Sequence, residues 1–205
     1  MRRDWWESDS WNRYEQICGL DPGTRVRELK AGKPRHIVDL TPGTDALWRN
    51  VRKSYRPIIH AAEREYEIVT CGPTGMDYFR RLHALDAGRV TRPAESWELM
   101  ADWVSVGWLI LVGAKPRADV AERTAGAGPA ASTTLDGWTA FSAFYTCEPA
   151  YYGHAASLAR NVNHALMWHA MLELKDLGCQ WLDMGEVGAT DQKGKDLEFF
   201  KRGFG

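Results

Sequence analysis

Lys201 is bracketed by aromatics and glycines in Phe199-Phe-Lys-Arg-Gly-Phe-Gly205. Phe199, Phe200 and Phe204 can anchor the segment, and the glycines relax the backbone around the lysine. A cation held this way against a core can meet an anion or a developing oxyanion. The same pattern also suits an amphipathic turn with a snorkelling lysine. Asp183 and Glu186 stand at the end of a short strand pattern, Gln180-Trp-Leu-Asp-Met. Either can relay a proton, grip an ammonium group, or cap a turn. His154 follows Tyr151-Tyr152 and is a candidate base, since its charge changes near neutral pH; a structural histidine is the alternative.

Three further groups suit ligands. Arg49, Arg52, Lys53 and Arg56 recur at i, i+3, i+4 and i+7, a spacing that stacks four cations on one helical face beside Tyr55. A phosphate partner or a solvated face accounts for them. Arg89, Thr91, Arg92 and Trp97 form a polar-aromatic loop whose arginines can clamp a carboxylate or phosphate, or bridge within the loop. Tyr152 and Asn163 flank the segment that follows His154. No Ser-His-Asp or Cys-His spacing is evident, and no metal site is suggested by the scattered Cys18, Cys71, Cys147 and Cys179.

These residues need elements to position them. Arg35 to Leu40 reads as a strand closed by Thr41-Pro-Gly. Thr44 caps a helix that starts at Asp45 and kinks or restarts at Pro57. Glu67–Cys71 is a strand, and helices follow over about 76–87 and from Glu95 or Ser96 to Val106. Trp108–Val112 is a buried strand. Residues 115–136 lack apolar periodicity and read as a long hairpin connection to a strand over 138–147. Tyr151–Ser157 leads into a helix whose Met167, Ala170, Met171 and Leu174 face a core. Residues 1–34 read as an aromatic-bearing extension, and 35–205 as one α/β (α+β) domain with a mixed central sheet flanked by helices.

The bulk numbers set limits. A chain of 205 residues with 44% hydrophobic and 26% charged residues is a globular composition of one domain. A net charge of −1 excludes a general polycation, so any RNA contact must be local. The dispersed cysteines fit a cytoplasmic protein, and no apolar run is long enough for membrane insertion.

Four blocks of residues resemble the Fem-type (FemABX-like) branch of the GNAT acyltransferases. They are Val38-Asp-Leu40 with Leu47-Trp48 and Arg52-Lys-Ser-Tyr-Arg56; Gly88-Arg-Val-Thr-Arg-Pro93 with Ser96-Trp97; His164–Met171 running into Leu182-Asp-Met-Gly185; and Phe200–Gly205. The resemblance spans roughly 36–205, interrupted by the Ala/Gly-rich loop, and implies a single GNAT-like domain. It implies an aminoacyl-tRNA-dependent transferase that passes an aminoacyl group to the amine of a small-molecule, peptide or carrier-bound acceptor. Secondary-metabolite (peptide or nucleoside antibiotic) or cell-envelope biosynthesis is the expected setting. No cofactor is expected beyond aminoacyl-tRNA as co-substrate. By motif match the resemblance assigns Lys201 to the reaction centre.

Three departures shape the expectations. The stretch His154–Asn163 lacks the glycines of a CoA pyrophosphate loop, which disfavours acyl-CoA. An acyl-CoA- or acyl-carrier-dependent N-acyltransferase of an amino sugar is nonetheless the alternative, with a non-catalytic binding module behind it. Larger relatives have two lobes and a last strand after the Phe-Lys motif. Here there is room for one lobe, and a homodimer that covers an open sheet edge is a further expectation.

Overall fold

Alternating apolar residues build the centre of the protein. Ile110, Val112 and Ala114 face one layer of helices while Leu109 and Leu111 face another, as a strand of period two requires. The computed structural model describes residues 5–118 and 134–205. Six strands form one sheet: β1 (Arg35–Asp39), β2 (Tyr66–Cys71), β3 (Leu109–Pro116), β4 (Ala140–Tyr145), β5 (Ala150–Ser157) and β6 (Trp181–Glu186). Their spatial order is β1-β6-β5-β4-β3-β2. All neighbours are antiparallel except β5 and β6. The mixed sheet expected from the sequence is therefore present.

The parallel pair matters most. β5 and β6 are in register only at Ala150↔Leu182 and Tyr151↔Asp183. Beyond those residues the two strands part company and open a wedge in the sheet.

One face of the sheet is covered by α3 (Thr44–Asn50), α4 (Arg56–Glu65) and α7 (Val162–Asp176), around Leu40, Ile59, Leu166, Met171 and Phe204. The other face carries a 3-10 turn (Trp5–Glu7), α1 (Asp9–Ile17), α5 (Gly75–Asp86) and α6 (Ala94–Ser105). That second core is aromatic: Trp6, Trp11, Tyr14, Phe79, Trp97, Trp103, Phe141 and Tyr145 are all buried in it. The N-terminal aromatics are thus part of the core. A short α2 (Thr24–Lys30), which the sequence reading missed, follows α1. The buried Glu15 carboxylate accepts the backbone N–H groups of Thr24 (3.1 Å) and Arg25 (2.6 Å) at the start of α2.

Two local expectations need correction. The four cations at 49–56 do not share a helical face, because α3 ends at Asn50 and α4 begins at Arg56. Pro57 has no N–H to give a preceding carbonyl, so it sits in the first turn of a new helix. The C-terminal segment is no mere turn. Gln192–Lys201 is a helix, α8, and the Asp191 side chain caps it by accepting from Gly194 N at 2.9 Å. Of the 115–136 connection, residues 119–133 lie outside the described residues; its flanks are the antiparallel strands β3 and β4.

Candidate active site

Asp183 lies on β6 just where the wedge opens, and is 2% exposed. A buried carboxylate needs partners. Arg35, on the neighbouring edge strand, donates from Nε to Asp183 Oδ2 at 2.6 Å, and Gly185 N donates to Oδ1 at 2.7 Å. Arg35 itself is largely enclosed, and its two terminal nitrogens are buried without a hydrogen-bond partner. A guanidinium fork in that state is an anion donor in waiting.

Lys201, in the last turn of α8, completes the group. A methyl added to Gly185 would lie 3.0 Å from Lys201 Nζ, so the ammonium rests on bare backbone. Gly185 also has φ +98°, a conformation glycine adopts without strain. Burial lowers the Lys201 pKa from its ordinary value; the Asp183 charge opposes this and the Arg35 charge adds to it. Two cations thus flank one carboxylate.

The aromatic residues of the terminal motif hold this lysine in place. Tyr55 is 5% exposed and packs its ring on His164 (4.4 Å), Phe204 (5.6 Å) and Phe200 (6.4 Å). Its hydroxyl donates to Phe199 O at 3.1 Å. Arg52 lies over the Phe199 ring at 3.9 Å, and its backbone N–H donates to Gly203 O at 2.7 Å. Arg52, Tyr55 and Phe200 therefore clasp the chain end that bears Lys201. Arg56 donates to the carbonyls of Val51 (3.1 Å) and Arg49 (2.7 Å), closing the α3–α4 corner.

A second cluster lies across Tyr151. A cavity of ≈ 310 Å³ is lined by Tyr14, Arg25, Thr91, Arg92, Tyr145, Tyr151 and His154, among others. Residues 151 and 154 belong on opposite faces of a regular strand. A register shift between Ala143 and Phe144, which pair with His154 and Tyr152, leaves Gly153 as the extra residue. The bulge turns His154 to the same face as Tyr151, while Tyr152 stacks on Phe144 at 5.1 Å on the other side. Only glycine fits the bulge, since a Cβ at 153 would lie 2.4 Å from the Tyr145 ring.

His154 is a hub inside this cavity. Tyr14 Oη and Tyr145 Oη lie 3.2 and 3.1 Å from Nε2, and Arg92 Nη1 lies 2.9 Å from it. Arg92 also donates to Tyr14 Oη at 2.8 Å. Burial, then the charges of Arg92 and His83, pushes the His154 pKa well below the usual imidazole value. The ring is neutral at physiological pH, and the features that keep it so make it a weak base. This geometry favours a hydrogen-bonding role over the proton relay considered from sequence. Burial likewise raises the Tyr145 and Tyr14 hydroxyls above the ordinary phenol value.

The sequence-derived candidates therefore separate. Asp183 and Lys201 meet at the wedge. Glu186 is exposed beside them, paired with Lys33 at 3.1 Å. His154, Thr91 and Arg92 share the cavity, with Trp97 beneath Arg92 at 5.1 Å. Arg89 is exposed in its loop, and Tyr152 faces the opposite core. Asn163 is in the first turn of α7, with Oδ1 buried and unpartnered. Arg35, Arg25, Tyr14 and Tyr145 were missed. Arg35 lies far from Asp183 in sequence, and only strand register joins them. Among the described residues no His, Cys, Asp or Glu cluster is arranged to hold a metal ion, and no helix is long and apolar enough to cross a membrane.

No family model matches this chain, and no curated protein matches it in sequence. Solved structures do. FemX superposes with a TM-score of 0.63 at 15% identity, covering 89% of this chain and 65% of FemX. L-PGS from Bacillus licheniformis superposes with a TM-score of 0.50 at 14% identity, covering 78% of this chain and 48% of that one. This chain thus spans about two thirds of the first and half of the second. At these identities the likeness concerns the fold alone: the chain has the fold of FemX, as the resemblance in its sequence implied.

Proposed function

We propose that this protein is an aminoacyl-tRNA-dependent transferase that forms an amide on the amine of a small-molecule, peptide or carrier-bound acceptor. The observation that carries the reading is the pair of cations, Lys201 and Arg35, set around one buried carboxylate where β5 and β6 diverge. The FemX fold and the Fem-like terminal motif support the donor class.

An ester-linked aminoacyl group is already activated, so the residues need only orient the amine and stabilise charge. The amine nitrogen attacks the ester carbonyl, the new C–N bond forms and the C–O bond to tRNA breaks. The amine loses a proton and the departing ribose hydroxyl gains one. Lys201 Nζ and the free Arg35 nitrogens are the donors for the tetrahedral oxyanion. Asp183 has both oxygens engaged, so it positions Arg35 and offsets its charge. No covalent aminoacyl-enzyme is required, and trapping one would contradict this route.

The test is a paired titration at two salt concentrations, with aminoacylated tRNA, uncharged tRNA and acetyl-CoA. Salt-sensitive binding that prefers charged tRNA is the expected result. Binding of acetyl-CoA alone would instead favour the acyl-CoA-dependent N-acyltransferase reading. The setting we propose is cytoplasmic, in secondary-metabolite or envelope biosynthesis.

A further inference from the structure

The cavity beyond Tyr151 is lined by two arginines, Arg25 and Arg92, and two carboxylates, Glu15 and Glu28, but the carboxylates are engaged or turned to solvent. Arg25 is 8% exposed, and its Nε and Nη2 are buried without hydrogen-bond partners. Its guanidinium lies 4.0 Å from the centre of the Tyr151 ring and 5.2 Å from that of Trp6. Its one described carboxylate partner, Glu28, stands 3.7 Å away and is half exposed. Glu15 also lines the cavity, but both its oxygens are engaged by the start of α2. Arg92 has no described ion pair at all, and its Nε is buried and unpartnered. His154 is neutral and adds no further positive charge.

Arg92 is half-buried with no described acid beside it, and Arg25 is buried with its only described acid exposed, so an anionic ligand offsets the cost of both. The remaining wall is aromatic and phenolic: Trp11, Tyr14, Tyr145 and Tyr151. At ≈ 310 Å³ the cavity stands at the small end of ligand sites and suits a body of dipeptide size.

We infer that this cavity binds a small molecule through an anionic terminus, carboxylate or phosphate, with Arg25 and Arg92 as anion donors and Tyr151 as an aromatic wall. That the molecule is the acceptor rests on the transferase reading above; that the cavity binds it does not. Tyr151 also lies 5.9 Å from the Arg35 guanidinium, so its ring links this cavity to the site at the wedge. Since α1 and α2 supply Trp11, Tyr14 and Arg25, the N-terminal segment makes the acceptor wall.

Binding is measured by calorimetry on the full chain with L-alanyl-L-tyrosine, its C-terminal amide, and phenyl phosphate, each to 10 mM. Cys18 lines the same cavity, so slowed alkylation of Cys18 reports occupancy. The expected result is that at least one anionic probe binds, at least tenfold more tightly than the amide. That probe protects Cys18, and Arg25→Met weakens it at least tenfold. Protection by phenyl phosphate alone would identify a phosphate ligand, and by the dipeptide alone a carboxylate. Failure of both anionic probes to bind more tightly than the amide, or no protection by any probe, overturns the inference. The two readings fail separately. An anion bound without any aminoacyl transfer defeats the transferase proposal only. Transfer to amines with no anionic group defeats the cavity assignment only.

Discussion

Gly203→Ala is the substitution that probes the C-terminal clasp most directly. A methyl at 203 would lie 1.9 Å from Tyr55 Cε2, 2.6 Å from Cδ2 and 2.7 Å from Cζ, where ordinary contact begins at 3.4 Å. The ring cannot simply retreat. His164, Phe200 and Phe204 surround it, and its hydroxyl is tied to Phe199 O. Overpacking of a filled core costs about 1–3 kcal/mol, and a clash with three atoms of an enclosed ring belongs at about 3 kcal/mol. For a chain of this size that lowers the melting temperature by about 6–12 °C. Because Lys201 is two residues upstream, the same strain moves its ammonium off Gly185. Urea unfolding of Gly203→Ala, Tyr55→Leu and the double variant forms a cycle. Shortening Tyr55 makes room for the methyl, so Gly203→Ala should then cost about 1 kcal/mol or less. Strictly additive costs, or a Gly203→Ala protein as stable as wild type, would refute the clasp.

Other expectations follow from the same geometry. Lys201→Ala should lower the transfer rate about 100–1,000-fold with the fold intact by circular dichroism, as loss of one oxyanion donor does. Because the Lys201 pKa is lowered, wild-type turnover should fall as pH rises through that lowered value, below where an ordinary lysine titrates; a flat alkaline limb in a pH-rate profile would count against the role. Asp183→Ala leaves the enclosed Arg35 without its counter-charge and should cost about 3–5 kcal/mol in urea unfolding. His154 is held neutral in the fold but takes a proton when unfolded. Stability should therefore drop as pH falls below about 6.5, toward the lower folded pKa, by up to about 1.4 kcal/mol per pH unit, and His154→Gln should flatten the slope. His36, His83 and His164 are shifted the same way, so some slope should remain.

The sequence by itself determined much of the order of strands and helices, because apolar period and turn residues are local signals, but α2, β5 and the terminal α8 were not legible in it. It also singled out Lys201 among its phenylalanines and Asp183 at a strand end, both carried by short runs of chain. It misjudged 49–56, where the helical spacing of four cations ignored what Pro57 does to the helix before it. Tertiary structure decided the rest. Arg35 and Asp183 are joined only by the register of β1 on β6, and a pairing across most of the chain leaves no local pattern. His154 shares a face with Tyr151 only because Gly153 bulges against β4, where the Tyr145 ring leaves no room for a Cβ. The anion-binding cavity needs α1 and α2 folded onto that face, an outcome of burying Trp6, Trp11 and Tyr14 in the second core. Periodicity names the face that a residue prefers, but only packing brings distant charges to one point.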